Sequence, residues 1–226
     1  MRQHLRAITD TLPLAIAVIP WGILTGALAI QVGLTPLQSQ AMSLLIFAGA
    51  AQLSVLTLLS GGASLTALYG STFVISSRHL LYSIVFREHV LKLPLRWRLM
   101  IAFVLTDEMF AVSEAHTKQS GAFSASFAVV SGITFYLAWN ISTLIGIVVG
   151  DSLNNLDQLG LDFAIAATFI AMTFDQIRRV PVLVAMLVSG LLSVMLKPIL
   201  VDSYIIVASI IGMFSAYYCS SRESEK

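Results

Sequence analysis

Two short clusters carry the side chains best suited to chemistry. The first is Ser76-Ser77-Arg78-His79, followed by Tyr82; the second is Thr106-Asp107-Glu108. Each combines a charged group with hydroxyls, and each lies inside a long apolar run. Ionisable groups at membrane depth cost about 2.5–3.5 kcal/mol each on insertion scales, and they mark solute or proton paths. Arg78 lies nine residues before Arg87, the last residue at that interface, and Asp107 lies nine residues after Arg98, where the chain re-enters. Nine helical residues span roughly 13–14 Å, so an antiparallel hairpin puts both charges at one depth. An ion pair from Arg78 to Asp107 or to Glu108 is the economical way to bury them. His79 and the second acid then stay free to titrate, as proton relays require.

The composition explains why such clusters stand out. Of 226 residues, 57% are hydrophobic and 11% charged, with a mean hydropathy of +0.87. Soluble domains run at about 25% charged, so soluble enzymes, disordered chains and secreted disulfide frameworks are excluded. Cys219 is the only cysteine, which leaves no internal disulfide or cysteine metal cluster. A net charge of +1 offers no footprint for nucleic acid. The composition fits an all-α polytopic transmembrane bundle embedded in a lipid bilayer, read as one domain over 1–226.

A crossing needs about 20 apolar residues. The apolar runs do not alternate at period two, which favours helices over a barrel. They place spans near 12–32, 40–60, 65–86, 99–117, 123–149, 161–177, 181–197 and 201–219, seven or eight in all. The last three are short or closely spaced, and Lys197-Pro198 fits a tight turn between half-length helices. Arg2, Arg6 and the Ala27-Leu28-Ala29 triplet resemble a signal peptide; an uncleaved first span is the better expectation. With eight spans and a cytoplasmic N-terminus, the basic loop 87–98 lands outside, against the positive-inside rule. A re-entrant or broken helix is expected near 47–52, where Ala48-Gly49-Ala50-Ala51-Gln52 interrupts the run, and if the segment is re-entrant that loop faces the cytoplasm instead.

Other features have both structural and functional readings. Pro13 and Pro20 kink the first span, and Gly22-x-x-x-Gly26 allows close helix packing. Unwound backbone at Pro20, Gly22 or Gly49 can also hold a substrate's amino and carboxylate groups, with Gln52 adding an amide. Asn140 reads as an interhelical hydrogen-bond partner. Asp175-Gln176 with Arg178-Arg179 and Pro181 reads as a helix end with a cationic loop. Phosphate-binding loops, HExxH and dinucleotide fingerprints are absent, and no catalytic residue, metal ligand or cofactor is expected. Gly62-Ala63-Ser64 only faintly echoes intramembrane serine proteases.

Three stretches together bear a family likeness: Phe47-Ala48-Gly49-Ala50-Ala51-Gln52, Ser77-Arg78-His79-Leu80-Leu81-Tyr82-Ser83 and Leu105-Thr106-Asp107-Glu108-Met109-Phe110-Ala111. With Ile19-Pro20-Trp21-Gly22 and the closing helices, the chain resembles the AzlC family, the large subunit of bacterial branched-chain amino-acid exporters. The resemblance implies a secondary carrier of the bacterial inner membrane, exporting leucine, isoleucine, valine and in some members methionine. It also implies a small AzlD-type membrane subunit as partner. Arg78, His79, Asp107, Glu108, Gln52, Tyr82 and Thr106 are then the candidate substrate or proton pathway. A non-transporting scaffold, an intramembrane hydrolase and a carrier of another metabolite stand as rivals.

Overall fold

A computed structural model describes residues 2–152, 180–198 and 204–224 of the chain. Every regular element among them is helical: α1 Arg2–Ala17, α2 Ile19–Gln31, α3 Pro36–Leu45, α4 Gly49–Ser60, α5 Leu65–Ser76, α6 Arg78–Val90, α7 Leu95–Phe103, α8 Asp107–Ser120, α9 Ala125–Ser152, α10 Val180–Leu196 and α11 Tyr204–Ser224. They fall into two compact units. One comprises 1–56 and 75–159; the other comprises 57–74 and 160–226. The expected span at 161–177 and the Asp175/Arg178-Arg179 cluster lie outside the described residues.

Local sequence explains where these helices start and stop. Thr35 closes a capping box with Gln38 ahead of α3, and Pro36 supplies the pre-set first position. Ser64 accepts from the Ala67 amide at the start of α5, which gives that serine a capping role. Thr106, in extended backbone, accepts from the Met109 amide and opens α8. Asp107 and Glu108 occupy the first turn of α8, where the helix dipole favours anions. Gly121 closes α8 in the left-handed region at φ 74°, a conformation glycine adopts without steric cost.

The apolar runs expected to be single helices are mostly interrupted. The first bends by 51° between α1 and α2, just before Pro20. The second breaks at 46–48, within the region expected from its small residues. The third, expected continuous over 65–86, is interrupted at Ser77, and the fourth, over 99–117, opens at 104–106. Arg78 and Asp107 are therefore not mid-helix charges; each stands at the first position of a helix. Taken singly, Ala125–Gly150 is the helix among the described residues long and apolar enough to cross a membrane, so a count of seven or eight crossings does not follow from helix length.

The core of the first unit is built around α9, against which α1, α2, α3, α7 and α8 all pack. Small residues set the closest seam. A Cβ at Gly26 would sit 2.2 Å from the Thr143 carbonyl oxygen, and one at Gly146 would sit 2.0 Å from that of Ile23. Backbone contact of this kind replaces the hydrophobic drive that lipid removes. Gly22 belongs to the same seam, its missing Cβ facing Ser142, so its packing role is met directly. A second cluster of Phe86, Ile101, Val104, Leu105, Met109, Ala128 and Val129 ties α6, α7 and α8 to α9. In the second unit, α10 meets α11 closely where Gly212 faces Ala185 and Ser189.

Candidate functional site

Three helix interruptions of the first unit meet at one cavity of about 290 Å³. Phe47 and Ala48 come from the α3–α4 break, Ser76 and His79 from the α5–α6 interruption, and Phe103 and Leu105 from the α7–α8 opening. The walls are largely apolar, with hydroxyls at Ser76 and Ser83 and the His79 imidazole as the polar groups. Ligand pockets run from about 300 Å³ upward, so this volume suits a small solute with an aliphatic body.

The interruption at Ser77 fixes the histidine. Leu80 donates its amide to the Ser77 carbonyl, three residues back, instead of to Ser76. The Ser76 carbonyl is thereby released and accepts from His79 Nδ1 at 3.0 Å. A carbonyl can only accept, so Nδ1 donates the proton of this bond, and Nε2 is the ring nitrogen left over for other partners. Tyr82, one turn on, meets the imidazole edge-on at 5.9 Å and stacks on Phe110 of α8 at 4.5 Å.

Beside the cavity, Arg78 Nη1 lies 2.5 Å from Asp107 Oδ2. Of the two acids considered, Asp107 is the partner. Glu108 is half-buried and has no ion pair among the described residues. The pair retains unused capacity: Arg78 Nε and Asp107 Oδ1 are buried without a hydrogen-bond partner among the described residues. Helix ends act unequally on the two charges. Asp107 stands at the N-terminus of α8, near a positive half-charge, whereas Arg78 lies between the C-terminus of α5 and the N-terminus of α6, whose half-charges oppose one another, so the helix ends favour the acid alone.

Gln52 and Gly49 serve a different purpose from the ion pair. Gln52 is fully buried; its Oε1 accepts from Trp139 Nε1 at 3.0 Å and its Nε2 donates to Ser43 Oγ at 3.2 Å. Ser43 continues to Thr143, Gln40 donates to Asn140 Oδ1, and Tyr136 OH donates to the Leu44 carbonyl at 3.0 Å. Tyr136, Trp139, Asn140 and Thr143 form one helical stripe, so α9 holds both sides of the α3–α4 break. Gly49 leaves room for the Trp139 indole, which a Cβ would approach to 2.5 Å. Thr106 is buried as the α8 cap, and Pro20 stands at the second position of α2 after the bend.

Of the expected residues, then, His79 lines the cavity, Arg78 and Asp107 are bonded beside it, and Tyr82, Thr106 and Glu108 surround that pair. Gln52 and Gly49 brace its α3–α4 wall, while Gly22 lies in the α2–α9 seam. Of the α9 stripe, only Asn140 stands out in the sequence as an isolated polar residue; the i, i+3, i+4, i+7 spacing of the hydrogen-bonding side chains is the signal that identifies Tyr136, Trp139 and Thr143 with it.

Helices broken around a polar-edged cavity, exposed Phe73, Leu81, Ile84, Val148 and Leu187, and relatives described as membrane proteins together make this a helical membrane protein. The chain belongs to the AzlC family: the AzlC protein model matches residues 13–153. An uncharacterized membrane protein of Helicobacter pylori is 29% identical over 184 residues, covering 79% of each chain. One from Archaeoglobus fulgidus is 32% identical over 176 residues, 76% of this chain and 75% of its own. Inner membrane protein YgaZ of Escherichia coli is 28% identical over 175 residues, 75% of this chain and 71% of its own. No solved structure matches.

Proposed function

We propose that this chain is the large subunit of a secondary transporter that exports branched-chain amino acids, with methionine as a further substrate, across the bacterial inner membrane. The supporting observation is the apolar cavity where three helix interruptions meet, with His79 in its wall and the Arg78–Asp107 pair beside it. A branched side chain needs an apolar surround, and its zwitterionic end needs one donor and one acceptor. Arg78 Nε and Asp107 Oδ1 are spare groups of those two kinds. Broken helices with polar ends at a central cavity are the usual substrate architecture of secondary carriers. Interrupted pairs α3/α4, α5/α6 and α7/α8 then act as composite crossings within a bundle of seven or eight. A proton gradient or the membrane potential drives export, with His79 and Glu108 as relay groups, and a small AzlD-type subunit completes the carrier.

The test is efflux from cells loaded with leucine-, valine- or isoleucine-containing dipeptides, expressing this chain with the small subunit. Wild type is expected to release the free amino acids, and Asp107→Asn and Glu108→Gln to slow release by about tenfold or more. No release by wild type removes the transport reading. Undiminished release by both variants removes the role of the acids.

A further inference from the structure

A second, smaller cavity of about 160 Å³ opens beside the first. Ser83, Ala102 and Leu105 belong to the walls of both, so the two adjoin through a shared partition. The second cavity is otherwise lined by Phe86, Val90, Leu91 and Ile101, together with Arg87 and Arg98. Arg87 comes from the last turn of α6 and Arg98 from α7 after the short 91–94 turn. Both are exposed, neither has an ion pair among the described residues, and no acid lines either cavity. Two cations beside an apolar hollow, without an ion-pair partner among the described residues, produce a positive potential that water and salt screen in part and that draws an anion. Guanidinium groups match the planar oxygens of a carboxylate.

We propose that Arg87 and Arg98 form a portal subsite for the carboxylate of a small amphiphile, whose aliphatic tail lies on Phe86, Val90 and Ile101 on the way to or from the His79 cavity. The basic loop 87–98, whose placement conflicts with simple charge counting, thereby acquires a task in ligand handling. The identity of the ligand as an amino acid rests on the proposed transport; the recognition of a carboxylate on an aliphatic tail does not.

The experiment uses the full chain reconstituted in vesicles of phosphatidylcholine alone, with 4-methylpentanoate as the probe, since it is leucine without its ammonium. Equilibrium binding is compared for wild type, Arg87→Gln/Arg98→Gln and Arg87→Lys/Arg98→Lys, with 3-methylbutylamine as the probe lacking a carboxylate. Helix content by circular dichroism confirms that the exposed substitutions leave the fold intact. The expected result is binding of 4-methylpentanoate that weakens about tenfold or more in the glutamine variant and partly survives in the lysine variant, with binding of the amine not weakened by either change. Equal affinity in wild type and the glutamine variant, or no binding by wild type, overturns the proposal. A second set of vesicles contains phosphatidylglycerol. If that lipid displaces the probe from wild type but not from the glutamine variant, the arginines hold a lipid phosphate and the carboxylate assignment falls. Probe binding without leucine efflux leaves this subsite standing and removes the transport reading; efflux with arginine-independent binding does the reverse.

Discussion

Arg78, one residue beyond the break that ends α5's regular ladder, bonds Asp107, the first residue of α8, at 2.5 Å. Their side chains are 33% and 31% exposed, so solvent screens part of the attraction. A double-mutant cycle of Arg78→Gln and Asp107→Asn, read by thermal unfolding in detergent, is expected to give a coupling of about 1–2 kcal/mol. Strictly additive single effects would show that the two helix starts are held by other contacts.

His79 has two separable tasks, and substitution can divide them. Asparagine keeps an amide donor near the Nδ1 position and loses the distal nitrogen; glutamine does the opposite. His79→Asn is expected to unfold within about 1 kcal/mol of wild type, because the Ser76 carbonyl keeps a partner, while amino-acid efflux falls. Undiminished efflux in that variant would assign His79 to the scaffold alone.

The α2–α9 seam is the least forgiving part of the first unit. Gly146→Ala puts a methyl group against the Ile23 carbonyl, where only backbone can move. The expected cost is about 1–3 kcal/mol or more, seen as a lowered melting temperature. Gly22→Ala meets the Ser142 side chain instead, so Ser142→Ala should recover part of its loss and none of that at Gly146.

Gln52 and Trp139 satisfy one another while fully or nearly fully buried. Gln52→Leu strands the indole N–H and costs about 1–3 kcal/mol. Adding Trp139→Phe removes the stranded donor, and the double variant should lose less than the sum of the two single losses. A simple sum would mean that the indole finds another acceptor.

Thr106 offers a graded test of the α8 start. Thr106→Ala is expected to cost about 1 kcal/mol and Thr106→Ser much less, measured by thermal unfolding. Equal losses would trace the effect to the threonine methyl rather than to the cap.

Much of the site was legible in residue spacing. Counting from Arg87 and Arg98 brought Arg78 and Asp107 together, and Ala48-Gly49 marked a real break. The interruptions at Ser77 and 104–106 were not read, because neither contains Pro or Gly and both lie in apolar surroundings. Thr106-Asp107-Glu108 nonetheless has the form of an N-cap followed by an acidic first turn; reading the acids only as buried charges concealed the helix start they mark. The choice of Asp107 over Glu108 depends on the direction in which α8 leaves its cap, which no linear count supplies. The span count also misleads when a single apolar run holds two short helices.

The position of α9 in the chain has a consequence for biosynthesis. Residues 36–56, which carry the α3–α4 break, are synthesised well before Tyr136, Trp139, Asn140 and Thr143, which fasten that break in the folded chain. Early segments therefore leave the ribosome with polar ends awaiting a clasp that arrives some eighty residues later in the order of translation. The hydrogen bonds that brace the α3–α4 wall of the cavity can therefore form only once the fifth apolar run has been made.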